Sequence, residues 1–331
     1  MSMSLVSAII FALFLIVVIS FASELLALGS EVLEHKFGPS FVGSVLLGFI
    51  TMLPELIFVL VAIREDQVGV AVGSAVGGNI LLFTVGYGLV IALAYYKHHE
   101  IITLKPTMKD DLWYLVLASL YLLVASFDGK LTLFDGYILT MAYFVFVIHQ
   151  YLESKHLQSK KEEPVDISNE EWGKSIAFMV IGGIIIVLAA EPFVGEIVDI
   201  SHLVGISAVI LALIISPLAS EMPEKISAFM LTKKSMTGAE MAISNFIGSK
   251  VQASTLLFGG MILFHIYLPN GHDSMNISGD MFQIFLAVFT TIIGVAISYD
   301  LKLKLKEGWI VLSLYVISLI AVFTFSTPIS H

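Results

Sequence analysis

The sequence predicts an all-α polytopic membrane protein of about ten transmembrane helices, arranged as two inverted five-helix repeats with broken helices at the midplane. Three observations lead there. The composition is 57% hydrophobic and only 13% charged, with a mean hydropathy of +0.94, whereas a soluble domain carries roughly 25% charge and 45–50% apolar residues. The apolar residues fall in long blocks, from Leu5–Leu28 to Val311–Phe325, and one helical crossing takes about 20 residues. Two segments half a chain apart resemble each other. Only hydrogen-bonded helices or closed barrels cross hydrocarbon, and the ten-residue alternation of a barrel is absent.

The spans are expected at 4–28, 40–63, 68–96, 110–127, 132–150, 174–198, 203–231, 236–267, 280–299 and 307–327. Met1-Ser2-Met3-Ser4 leads straight into the first without a basic segment or a small-residue cleavage site, so that span reads as a retained helix. The long polar stretch 151–173, centred on Lys160-Lys161-Glu162-Glu163-Pro164, divides the chain into halves 1–150 and 174–331. Basic residues set the orientation. With sides alternating, the loops facing the termini hold Arg64 and Lys130, while the opposite loops hold 13 of the 17 Lys and Arg; Lys225 and Lys250 lie within spans. The positive-inside rule then puts both termini outside the cell's inner or plasma membrane and the 151–173 linker in the cytoplasm.

Composition also excludes classes of function. Seventeen basic residues against a net charge of −10 leave no basic face for nucleic acid. The absence of cysteine removes disulfides, thiolate metal sites and thiol nucleophiles. No H-E-x-x-H occurs, since His98-His99-Glu100 has the wrong order, and no Gly-x-Ser motif pairs with a membrane histidine. An enzyme is therefore not expected, nor is a bound organic cofactor.

The repeat carries the chemistry. Thr51-Met52-Leu53-Pro54-Glu55 is followed by Gly77-Gly78-Asn79-Ile80, and Ser220-Glu221-Met222-Pro223-Glu224 by Gly248-Ser249-Lys250-Val251. Glu55 and Glu224 are 169 residues apart, and Gly77 and Gly248 are 171 apart. Five spans per half is odd, so the second copy crosses in the opposite sense, a transporter architecture. Pro54, Pro217 and Pro223 each delete a backbone donor inside a span and free an upstream carbonyl. A glutamate after each motif proline is an intramembrane acid, a functional candidate by default. The glycines permit close backbone approach. Carboxylates, hydroxyls and carbonyls are hard oxygen ligands, suited to Ca²⁺, Mg²⁺, Mn²⁺ or Na⁺.

At these residues the chain resembles the calcium/cation antiporter superfamily, the sodium/calcium exchanger-like proteins, whose repeats read roughly G-T-S-L-P-E and then G-N-x-x-G-S-N-I. The resemblance implies alternating-access exchange of Ca²⁺ against Na⁺ or H⁺. It implies that Glu55 and Glu224 hold the divalent ion, that Thr51, Ser220, Asn79 and Ser249 line the site, and that main-chain carbonyls near Gly48 and Pro217 assist. Several family positions differ: Met52 and Glu221 replace serines, Gly78 a small polar residue, and Lys250 an asparagine. Leu82 and Ala253 stand where sodium-coupled members often carry Asn or Asp, which favours H⁺, and Gln252 resembles a glutamine of the proton-coupled branch. Glu221 is a further candidate ligand and is expected to pair with Lys250; three acids and one lysine would leave a net charge of about −2, matched to one divalent ion.

The sequence alone leaves other readings open. An H⁺-coupled Mn²⁺ or Mg²⁺ exchanger, a passive channel, and a sensor that binds ions without moving them share these ligands. Glu24 and Glu191 either line an ion path or are solvated, and the acidic 162–171 run reads as a solvated linker. The expected partners are the lipid bilayer, Ca²⁺ and a monovalent counter-ion, with no oligomer required.

Overall fold

A computed structural model of the chain describes residues 5–37, 47–157 and 168–325. It is a helical bundle with two small β-pairs at its ends. Eight helical segments among the described residues are long and apolar enough to cross a membrane. The helix α2 (Leu47–Arg64) and the pair α8 (Ala208–Ser220) and α9 (Met222–Lys234) occupy the remaining two expected spans. The long helices α1 (Leu5–Phe37) and α7 (Asn169–Val204) pack along each other at the periphery. Their outward faces carry exposed Phe11, Phe14, Val180 and Leu188, as lipid-facing helices should.

The two copies of the third span match closely. In the first half α3 (Val68–Leu81) continues through a π-helical turn at Leu82–Gly86 into α4 (Tyr87–His98). In the second half α10 (Met236–Gln252) continues through a π-helical turn at Ala253–Leu257 into α11 (Phe258–Tyr267). The two π turns lie 171 residues apart, the offset of the glycine motifs. Single π turns inside α-helices cluster at functional sites.

The β-pairs show how the halves interlock. Strand β1 (Ile102–Thr103), after α4, pairs with β4 (Lys302–Leu303), between α12 (Met281–Ser298) and α13 (Leu305–Phe325). Strand β2 (Lys130–Thr132), between α5 (Met108–Ala125) and α6 (Leu133–Leu157), pairs with β3 (Ser274–Asn276), between α11 and α12. In repeat terms β1 matches β3, and β2 matches β4. Each strand therefore pairs with the mate of its mate's partner, which requires matching loops at opposite ends of the bundle. That is the inverted arrangement expected from an odd number of spans per half.

The proline breaks are unequal. In α2 the helix runs through Pro54 without interruption. In the second copy the helix stops at Ser220, Glu221 adopts φ −109° and ψ −2°, and Pro223 begins α9 within its first turn. Pro217 lies inside α8 and leaves the Leu213 carbonyl without its helical donor. Gly77 approaches that carbonyl so closely that a Cβ would overlap it, and Gly73 meets the Val209 carbonyl in the same way. The small residues of α3 thus let it lie directly on the α8 backbone.

The ends of the central stretch are helical. The helix α6 continues to Leu157 and α7 begins at Asn169, so helices take up both ends of the expected 151–173 linker. Residues 158–167 at its centre lie outside the described residues. Ser168 caps α7 in a capping box: its hydroxyl accepts from the Glu171 N–H at 3.2 Å, and the Glu171 carboxylate accepts from the Ser168 N–H at 3.0 Å.

Candidate cation site

Where the broken helix meets α2, α3 and α10, nine residues line a buried cavity of about 20 Å³: Met52, Glu55, Gly78, Asn79, Leu82, Glu221, Glu224, Ser249 and Ala253. That volume admits roughly one water-sized sphere. Eight of the nine form repeat mates. Met52 and Glu221, and Glu55 and Glu224, are 169 apart; Gly78 and Ser249, and Leu82 and Ala253, are 171 apart. One cavity is thus assembled from the same four positions of each half. Its ninth residue, Asn79, has Lys250 as its mate.

The three carboxylates differ in their partners. Glu224 Oε1 accepts from the Ser249 hydroxyl at 2.7 Å and from Asn245 Nδ2 at 2.8 Å. Ser249 and Asn245 are four apart on α10 and so present one face to Glu224. Glu55 is 6% exposed, and its buried Oε1 has no hydrogen-bond partner among the described residues. An unpaired buried carboxylate oxygen is costly. The Glu55 charge is repelled by Glu221 and Glu224 and attracted by Lys225. Glu221 is bonded through Oε2 to Lys225, one turn along α9. Its Oε1 lies against Gly78, where a Cβ would also come within 2.7 Å of Glu55 Oε1. Any side chain at Gly78 would fill the space between these two carboxylates.

The expected pairing of Lys250 with Glu221 is replaced by another. Lys225 takes Glu221, while Lys250 Nζ donates to the main-chain carbonyl of Asn79 and lies 4.5 Å from the Phe83 ring centroid. The i, i+4 spacing of Glu221 and Lys225 on a helix is the signal that identifies the pair in the sequence. With Lys225 included, three acids face two lysines and the formal charge is −1 rather than −2. Asn245 is a further site residue beyond those the sequence motifs mark, and its place one turn before Ser249 on α10 is the signal for it.

Other expected residues have their own partners. Asn79 Nδ2 donates to the Ala75 carbonyl at 2.9 Å, and its Oδ1 accepts from Ser254 at 3.4 Å. The Ser220 hydroxyl donates to the Ser216 carbonyl at 3.2 Å, and the Pro217 carbonyl accepts from the Glu221 N–H at 3.1 Å. Gln252 is 2% exposed and lies off the cavity lining. Gly48 and Thr51 fall on the first turns of α2, but their surroundings lie outside the described residues. Glu191 is exposed and accepts from Arg64 at 2.6 Å, tying α7 to the end of α2, and Glu24 is exposed. Among the described residues no group of three or more His, Cys, Asp and Glu side chains is placed to hold a metal ion by itself.

The chain matches the sodium/calcium exchanger protein family over residues 6–152 and 174–324. It belongs to that family. The two matched blocks fall on the two halves and together cover most of the chain, which places this protein in a family of membrane-embedded cation exchangers. An uncharacterized membrane protein of Methanocaldococcus jannaschii is 24% identical over 306 residues, 92% of this chain and 94% of that one. The inner membrane protein YrbG of Escherichia coli is 24% identical over 253 residues, 74% of this chain and 76% of that one. Among solved structures, the H⁺/Ca²⁺ exchanger CAX superposes with a TM-score of 0.82 at 23% identity, covering 95% of this chain and 82% of its own. The sodium–calcium exchanger NCX_Mj, soaked with Na⁺ and Sr²⁺, superposes with a TM-score of 0.65 at 20% identity, covering 97% and 100%. These likenesses establish the fold of the exchanger family for this chain.

Proposed function

We propose that this exchanger is a secondary active antiporter that moves Ca²⁺ against Na⁺ or H⁺ by alternating access, with the Ca²⁺ held between Glu55 and Glu224. The observation that supports this reading most is the pairwise lining of the cavity: each inverted half supplies a carboxylate to one small volume that admits roughly one water-sized sphere. Glu55 offers an oxygen with no other described partner, and Glu224 is oriented by Ser249 and Asn245. Two acids cannot complete a calcium shell of 6–8 oxygens. Main-chain carbonyls, hydroxyls and water supply the rest, with those near Gly48 and Pro217 and the side chains of Thr51, Ser220, Asn79 and Ser249 as candidates. Both solved relatives are named for calcium exchange or for a sodium–calcium exchanger, which makes Ca²⁺ the first substrate to test, ahead of Mn²⁺ or Mg²⁺.

H⁺ is the favoured counter-ion. Leu82 and Ala253 bring carbon, not oxygen, to a symmetric pair of cavity positions, so side-chain ligands for separate Na⁺ ions are lacking there. The lysine-rich ends of the bundle near β1 and β4 face the cytoplasm, with the 151–173 linker on the same side and both termini outside. Radioactive Ca²⁺ flux in proteoliposomes, with Na⁺ and H⁺ gradients imposed one at a time, tests the proposal. Coupled, saturable uptake driven by one of the gradients and abolished by Glu55→Gln is expected. Flux indifferent to both gradients indicates a channel, and binding without flux a sensor; either outcome refutes the antiporter.

A further inference from the structure

The second half-site carries charges that the first lacks. Glu221 is the mate of Met52, Lys225 of Leu56 and Lys250 of Asn79, at offsets of 169, 169 and 171. Both lysines are deeply buried, at 4% and 0% exposure. Lys225 is bonded to Glu221, whose other oxygen lies against Gly78 in the cavity wall. Lys250 rests between the Asn79 carbonyl and the face of Phe83. A carbonyl oxygen with an aromatic face is a set of partners that binds a monovalent cation. Burying an ammonium is costly unless it is paired and hydrogen-bonded, and each lysine here takes up oxygens that border the Glu55–Glu224 cavity.

We propose that Lys225 and Lys250 are specificity-determining residues whose ammonium groups fill the cation positions flanking the cavity, so that it holds one inorganic cation at a time. This rests on the antiporter reading of the cavity and adds its occupancy. Glu55, Glu221 and Glu224 against Lys225 and Lys250 give a formal charge of −1. One divalent ion reverses that charge to +1, and a second inorganic cation then meets net repulsion at short range. The cavity volume, about 20 Å³, agrees with single occupancy. The chain has built two of its cations into the protein, on the half that also carries the additional acid.

Equilibrium binding of ⁴⁵Ca²⁺ and ²²Na⁺ to the purified full-length protein in detergent tests this at one fixed pH. The wild type is expected to saturate at one Ca²⁺ per chain, with no Na⁺ bound beside it. Lys250→Asn, which restores the residue of the mate position, is expected to bind one ²²Na⁺ per chain, and its apparent Kd for Ca²⁺ is expected to shift at least tenfold with Na⁺. Lys225→Gln, on a different helix, is expected to gain Na⁺ binding at Glu221 and serves as an independent second variant. Two or more ions per wild-type chain, or one-ion behaviour unchanged in both variants, overturns the inference while leaving the antiporter intact. A wild type that binds no cation overturns both.

Discussion

Replacing Gly78 by alanine puts one methyl group between the carboxylates that define the site. The added Cβ would lie 2.7 Å from Glu55 Oε1 and closer still to Glu221 Oε1. Unstrained contact begins near 3.5 Å, so Glu55 must retreat by about 0.8 Å and Glu221 by more. Both obstacles are the far ends of flexible side chains, so the helices need not move and folding changes little. The cost falls on the ion: Ca²⁺–oxygen distances span only about 2.3–2.6 Å, and a displacement of that size removes a ligand or strains it. Overpacking of one methyl costs roughly 1–3 kcal/mol, which corresponds to a loss of about 5- to 150-fold in Ca²⁺ affinity. The assay is ⁴⁵Ca²⁺ binding and proteoliposome flux beside thermal unfolding in detergent. A Gly78→Ala protein that melts like wild type and transports Ca²⁺ with unchanged half-saturation would refute the assignment of Glu55 and its neighbour to the ion.

Three further outcomes follow from the same geometry. Lys225→Met leaves the buried Glu221 without its partner and should destabilise the protein by about 3–5 kcal/mol; adding Glu221→Gln should recover most of that loss in a thermal-unfolding double-mutant cycle. Gly77→Ala should destabilise by at least about 1–3 kcal/mol, because the methyl would lie 2.7 Å from the Leu213 Cα, a backbone atom that cannot step aside, whereas Gly195→Ala meets nothing within 4 Å and should gain up to about 1 kcal/mol of helix propensity. Burial raises the Asp280 carboxyl, in the loop before α12, from 3.8 to about 6. A raised acid stabilises the fold below its unfolded value and loses that contribution as pH rises through about 6, so Asp280→Asn should raise the melting temperature at about pH 7–8 and flatten its dependence between about pH 4 and 7.

The fold was legible because bilayer crossing demands long apolar blocks and because the repeat offset is written in Pro54-Glu55 and Pro223-Glu224. The glycines of the first copy proved informative for a physical reason: Gly77 meets a backbone carbonyl and Gly78 meets two carboxylates. The break at Glu221 could be anticipated from Pro217 and Pro223 together, whereas Pro54 alone did not interrupt α2. Hydroxyl roles were harder to read. A serine in a membrane helix can satisfy itself on the preceding turn, as Ser220 does on Ser216, and sequence spacing does not distinguish that from ligation. The partner of Lys250 is not legible in the sequence because it reaches across the interface to the Asn79 carbonyl, a contact set by packing between halves, while Lys225 has the local spacing to claim Glu221.

The most direct measurement is anomalous diffraction from crystals of this protein soaked with Ca²⁺ or Sr²⁺. One strong peak is expected inside the cavity, with oxygens of both Glu55 and Glu224 in its coordination shell and no second peak beside Lys225 or Lys250. A cation bound elsewhere, or one that touches neither carboxylate, would contradict the claim that the two inverted half-sites share a single transported ion.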